Sequence, residues 1–415
     1  MPDTNDGQLC ERLPAGTITG PQTLLFAAST GIIVTNLFAP QTLVGLIGRS
    51  LGASAASVGL VAMATLLGYA AGLFFLVPMA DLTENRALIL RMLAAAALAA
   101  GVAAFAPTIA SLLIVLFILG AACSAIQILV PIAASMAPPG EAGRVIGDVM
   151  SGLMIGILLA RPLASLVADA WGWRAFYGLS ATALVLLAGV LAFTLPQRRP
   201  EAKSTYGALI ASLFGLLRDE PVLRRRALTA ALVMAAFSLF WTAVALRLAQ
   251  PPFGLGQRGI ALFALVGAGG AVVTPLFGRA GDHGWTRSAT IVCHLVLIGA
   301  MALAAWAGAS QSEASWQSLA LMGISAVLLD IGVTGDQTLG RRAVNLLQPE
   351  ARGRLNGLFV GIFFIGGAIG SLLAGVAWTW GGWTCVCAIS AVFGAAALLV
   401  DWIGGPTGRS YNHAR

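Results

Sequence analysis

The sequence predicts an all-α membrane protein with twelve transmembrane helices in two pseudo-twofold-related six-helix bundles. Composition, the spacing of apolar runs and an internal repeat carry that prediction. Of the 415 residues, 58% are hydrophobic and 10% charged, with a mean hydropathy of +0.88; a soluble domain carries about 25% charged residues. A bilayer span takes about 20 mostly apolar residues. Twelve runs reach that scale, at 22–47, 56–79, 87–106, 109–133, 144–168, 174–195, 227–249, 258–279, 288–308, 316–338, 354–378 and 383–403. The longest break, QRRPEAKSTYGALIASLFGLLRDEPVLRRR, is rich in charge and divides the chain. The organisation read from this is a tail 1–21, a first bundle 22–196, a linker 197–226, a second bundle 227–404 and a tail 405–415.

The halves repeat at an offset of 210 residues. GRVIG at 143–147 aligns with GRLNG at 353–357, Gln127 with Gln337, Pro139 with Pro349, Gly156 with Gly366, and Gly172-Trp173 with Gly382-Trp383. Parallel repeats related by an axis along the membrane normal build one group of secondary transporters.

Taken in order, the first run follows a polar stretch with no cleavable signal peptide and carries Asn36 and Gln41. Between the second and third lies VPMADLTENRALIL with Asp81 and Arg86, and the fourth carries Gln127. The fifth opens near Arg144 and contains GILLARPLASLVAD, which sets Arg161 in an otherwise apolar stretch. The seventh holds Phe237, Phe240 and Trp241, and GRAGDHGWTRSA between the eighth and ninth holds Asp282 and Arg287. The tenth holds Asp330 about 18 Å along its length at 1.5 Å per residue, followed by Asp336 and Gln337. The eleventh begins near Arg354.

Of the 24 basic residues, all but five fall on the side reached by the tails and the even-to-odd connections; the five are Arg49, Arg174, Arg247 and Arg258 opposite, and Arg161 within the membrane. Basic residues mark the cytoplasmic face, so both termini are expected there. The net charge of +7 then faces anionic lipid and does not call for nucleic acid. Five cysteines, Cys10, Cys123, Cys293, Cys385 and Cys387, read as apolar packing residues. Asp336 is expected to pair with Arg341 and Arg342 at the interface, and His294 to be a packing residue. No Gly-x-x-x-x-Gly-Lys-(Ser/Thr) nucleotide site appears and no catalytic set clusters, so the chain is not read as an enzyme.

The two loops resemble the Gly-x-x-x-Asp-(Arg/Lys)-x-Gly-(Arg/Lys) signature of the major facilitator superfamily. The second keeps Gly278 and Asp282; the first has Val77, Leu82 and Glu84 in place of the glycine, basic and glycine positions. With the twelve runs, the repeat and GWRAFY at 172–177, the chain is similar to the twelve-span efflux branch for drugs, sugars and nucleosides, and within it TNLFAPQTL at 35–43 and LLDIGVTGDQTL at 328–339 resemble one bacterial subgroup whose members mostly lack an assigned substrate. The resemblance implies a conformational latch of Asp81, Arg86, Asp282, Arg287, Arg144 and Arg354, with Asp81 at the start of the eleventh helix. It also implies a cavity between helices one, four, seven and ten, so that Asn36, Gln41, Gln127, Phe237, Trp241 and Gln337 are the expected substrate-binding residues.

Two departures bear on coupling. Leu116 stands where efflux relatives carry an arginine four residues before Gly120. Arg161 stands in Ala160-Arg161-Pro162-Leu163-Ala164-Ser165, where close glycine packing is the pattern. An arginine keeps its proton and intramembrane charge is costly, by about 2.5–3.5 kcal/mol on insertion scales. Arg161 either snorkels outward toward the headgroups or Asp169, or faces inward with Asp330 as its partner, directly or through a water-linked network. The expectation is a proton-coupled exporter of a small organic molecule in the bacterial inner membrane, binding lipid and protons, without cofactor or metal, as a monomer. Uptake by symport and a transport-inactive sensor of the same fold are the alternatives.

Overall fold

The computed structural model describes residues 18–54, 56–200, 205–309, 316–348 and 351–404, and these are helical with short connections. The outer parts of both tails, with Cys10, Arg12, Arg409 and Arg415, lie outside the described residues, as do Lys203 and Pro349.

Each apolar run becomes a membrane pass. The first is Gly20–Phe38 continued by Pro40–Leu51, where Pro40 supplies the first turn of the second segment. The second is Gly59–Phe75, ending in a 3₁₀ turn Val77–Asp81. Asn85–Ala104 is the third, with Glu84 capping its first amides through Arg86 N–H and Ala87 N–H. The fourth is Ile109–Cys123 with Ile126–Ser135, the fifth Ala142–Trp171 and the sixth Trp173–Thr194. In the second half come Pro221–Leu248, then Gln257–Gly267 joined to Thr274–Asp282 through a 3₁₀ turn, then Thr286–Ala309 and Trp316–Asn345. The eleventh and twelfth passes share the helix Arg352–Ile403, broken by non-helical backbone at Gly381 and Gly382.

The repeat has a structural counterpart. Gly172 and Gly382 adopt positive φ, +82° and +60°, which lets each chain turn sharply from one pass to the next. The Trp that follows each, Trp173 and Trp383, is buried. Gly156 and Gly366 mark close helix contacts, since a Cβ at either would stand 2.4 Å from the Gly31 carbonyl or 2.0 Å from that of Ala231. The fifth helix thus packs on the first and the eleventh on the seventh, as small residues permit between membrane helices.

A helix within the linker, Tyr206–Asp219, lies at one end of the molecule, hereafter the linker face. Tyr206 Oη donates to the Phe75 carbonyl (2.9 Å) and Arg354 donates to Ser212 Oγ (2.9 Å), so the helix touches both halves. Between the halves, the second pass packs along the eleventh, the fifth meets the eighth through Gln257–Gly267, and the first meets the seventh through Pro40–Leu51. The last two contacts lie on the side opposite the linker. Arg258 and Asp169, 2.7 Å apart, bridge the halves there.

Candidate functional site

A cavity lies where the halves meet, lined from both by Phe38, Gln127, Arg161, Phe237, Asp330 and Gln337 among others. Its volume of about 110 Å³ is room for three or four waters at about 30 Å³ each, against roughly 300–1,000 Å³ for drug-sized sites.

Arg161 is only 4% exposed, which excludes outward snorkelling. Asp169, the outer partner that reading required, is bound to Arg258. Arg161 instead points inward and is held in three ways. Its Nε donates to Gln41 Oε1 (2.9 Å), fixing the guanidinium to the first pass. Its Cζ stands 4.3 Å from the Trp241 ring centroid, 5.0 Å from that of Phe237 and 5.3 Å from that of Phe38. Each face contributes roughly 0.5–2 kcal/mol of cation–π attraction, more where water is excluded. Third, Trp241 Nε1 donates to Asp330 Oδ1 (3.0 Å). Arg161 and Asp330 make no direct ion pair within 4 Å; the Trp241 indole contacts both, taking the cation on its face and donating a hydrogen bond to the carboxylate from its edge.

The eighth pass makes room for this. A Cβ at Gly267 would stand 2.4 Å from the Trp241 ring, and one at Gly270 2.6 Å from the Asp330 Cβ. Both glycines flank or fall in the 3₁₀ turn Ala268–Val273, where the ordinary helix is interrupted.

The other expected residues divide. Gln127 and Gln337, equivalent in the repeat, both line the cavity, and Gln127 Nε2 donates to Tyr69 Oη (3.1 Å). Phe237 lines it too. Trp241 is 1% exposed, beneath Arg161 rather than against lipid. Gln41 is fully buried as the tether of Arg161, and Asn36 is fully buried with its Oδ1 accepting from Ser180 Oγ (2.6 Å) of the sixth pass; neither lines the cavity.

At the linker face, Arg354 is the cation whose field reaches Asp81 across the halves. Arg86 donates to the Ala192 carbonyl, and Asp282 pairs with Arg342, so neither aspartate bonds the basic residue that follows it in its loop. Arg287 lies near Arg225. Arg144 is exposed and reaches Glu141 (3.3 Å) and Asp148 (3.9 Å) of its own helix.

Asp336 does not pair with Arg341 or Arg342. Five and six residues along a helix carry a side chain well round to another face, and Asp336 meets His294 Nε2 at 3.1 Å instead. His294, Asp336 and Asp401 bring their ligand atoms within 4.8 Å of one another, and Arg226, 3.1 Å from Asp401, supplies positive charge beside them. This buried cluster ties the seventh, ninth, tenth and twelfth passes together. Asp401 and Arg226 were missed because each lies near a helix end, where charge usually faces water. Tyr69 was missed because it sits on the second pass, outside the helices expected to line the cavity.

A family model described as Major Facilitator Superfamily matches residues 24–335. The chain is 37% identical over 381 residues to the uncharacterized transporter YgaY of Escherichia coli O157:H7, covering 92% of this chain and 95% of that one. In fold it is similar to the crystal structure of nucleoside transporter NupG (TM-score 0.68, 15% identity, 92% of this chain and 98% of that one). It is also similar to the xylose transporter XylE from E. coli in a partially occluded inward-open conformation (TM-score 0.67, 14% identity, 92% and 97%).

Proposed function

The chain belongs to the Major Facilitator Superfamily and is a membrane transporter, and from that premise we propose that it exports a small organic molecule from the bacterial cytoplasm in exchange for protons. The observation that carries the coupling is the Arg161–Trp241–Asp330 unit: a cation of the first half and a carboxylate of the second, joined through one indole beside the cavity. With Asp330 ionised, the indole N–H is polarised toward the carboxylate and the two charges offset each other across the interface. A proton on Asp330 removes one charge, weakens the tie between the halves and leaves Arg161 uncompensated, which favours a conformation that opens the site. This supplies a charge switch where Leu116 replaces the usual fourth-helix arginine. Export as the direction rests on the overall resemblance to the twelve-span efflux branch.

In the same scheme Asp81 acts at the linker face, proposed as cytoplasmic, within the electrostatic reach of Arg354, and the Arg258–Asp169 bridge acts on the other side. Gln127, Gln337 and Phe237 contact the cargo, whereas Asn36 and Gln41 act by holding helices and Arg161 in place.

Everted vesicles from cells making the protein, given an imposed pH gradient and a metabolite panel read by mass spectrometry, test the reading. At least one organic compound should accumulate with the gradient, vanish with a protonophore and be absent from control vesicles. Accumulation with the reversed gradient would establish symport instead, and accumulation of nothing on either gradient would overturn coupled transport.

A further inference from the structure

The charged side chains lining the cavity are Arg161, Arg341 and Asp330. Two guanidiniums thus face one carboxylate. Arg161 is held by Gln41, three aromatic faces and, through Trp241, Asp330, although its Nη2 is buried without a hydrogen-bond partner. Arg341 is not so held. Its neighbour Arg342 pairs with Asp282, while Arg341 turns into the cavity, partly buried, with no carboxylate paired to it among the described residues. Its Nε is buried without a hydrogen-bond partner. Arg341 stands four residues before the end of the tenth helix, about 6 Å in from the linker face.

An arginine held in a partly desolvated site without a counterion is unfavourable unless a visiting group neutralises it. The polar groups nearby are suited to such a visitor. Gln337 lies one turn deeper on the same helix face, and Gln127 approaches from the fourth pass with its amide already tied to Tyr69 (3.1 Å). Tyr69 packs its ring against Phe364, centroids 4.6 Å apart, and Met150 and Met154 line the same cavity. A guanidinium fork matches two oxygens of a carboxylate or phosphate, amides add donors, and the aromatic and thioether surface takes an apolar body.

We propose that the cargo is a small organic anion whose carboxylate or phosphate is taken by Arg341, with Gln127, Gln337 and Tyr69 beside it. This rests on the transporter reading and names its substrate class.

The test is thermal unfolding of the full-length protein in a neutral maltoside detergent, titrated with sodium benzoate and phenyl phosphate. Benzamide, benzylamine and sodium chloride at equal concentrations are the comparison. The two aromatic anions should raise the unfolding midpoint in a saturable way and the three others should not. Arg341→Gln should weaken the anion response by about ten- to a hundredfold, as losing charge-assisted bonds does; Arg341→Lys, which keeps the charge but not the fork, should fall between. Equal responses to benzamide or benzylamine would overturn the assignment. So would a chloride response as large as benzoate's, which marks a counterion site, or no response to either anion. Should Arg341→Gln not fold, an undiminished response in Arg341→Lys would overturn it as well. Because the readout is equilibrium binding, vesicles that fail to transport while the anions still bind would count against proton-coupled export alone. Vesicles that transport a neutral compound while no anion binds would count against this assignment alone.

Discussion

Replacing Trp241 by phenylalanine separates the two contacts its indole makes. The ring beneath Arg161 stays, and the N–H that reaches Asp330 goes. A hydrogen bond to a charged group contributes about 1.5–3 kcal/mol, so gradient-driven transport in Trp241→Phe should fall at least tenfold while the protein still folds. Trp241→Ala should in addition lower the unfolding midpoint, having lost the cation–π face; identical behaviour of the two variants would refute the division of roles. Gly267→Ala acts on the same side chain from behind, because its Cβ would stand 2.4 Å from the indole. Arg161 and Asp330 themselves stood out in the sequence, since a charge in an apolar run needs an explanation wherever the run lies. The indole that contacts both did not, because which face of the seventh helix meets the fifth depends on packing across the two halves, and a hydropathy pattern carries no such azimuth. Arg341 was hidden for a related reason: near a helix end it reads as one more cytoplasmic charge.

At the scale of whole helices, the repeat makes a matched prediction. Gly147 and Gly357 are equivalent positions with nothing within 4 Å of a Cβ, whereas Gly156 and Gly366 press on the backbone of a neighbouring helix. Alanine at the first two should be neutral or slightly stabilising, since it is the better helix former. At the latter two it should cost about 1–3 kcal/mol through overpacking, read as a lowered unfolding midpoint. Equal effects at all four sites would mean the close contacts are not rigid. Asp81 also belongs here, because it ends one pass within the electrostatic reach of Arg354 at the start of another. Asp81→Asn should slow turnover more than it lowers expression, and normal turnover would remove it as a latch. Helices, their order and the repeat were readable from sequence because lipid forces every span to satisfy its own backbone and so to be long and apolar. The break in the eighth pass and the linker helix Tyr206–Asp219 were not, being set by local packing and by contact with both halves.

For the whole molecule, the cavity between the halves is smaller than a drug-sized solute needs, and alternating access requires the halves to part and close around the cargo. The account assigns the control of that parting to one carboxylate. Removing either charge alone leaves the other without its compensating partner, so Arg161→Gln and Asp330→Asn should each lower the unfolding midpoint, and the double variant should recover part of the loss. The most direct test uses proteoliposomes of the Asp330→Asn protein and a cargo identified in vesicles, measured in two modes. Counterflow exchange needs cargo to cross but no net proton movement, and accumulation driven by a pH gradient needs both. The account predicts that Asp330→Asn retains exchange and loses gradient-driven accumulation; gradient-driven accumulation at the wild-type rate would contradict it.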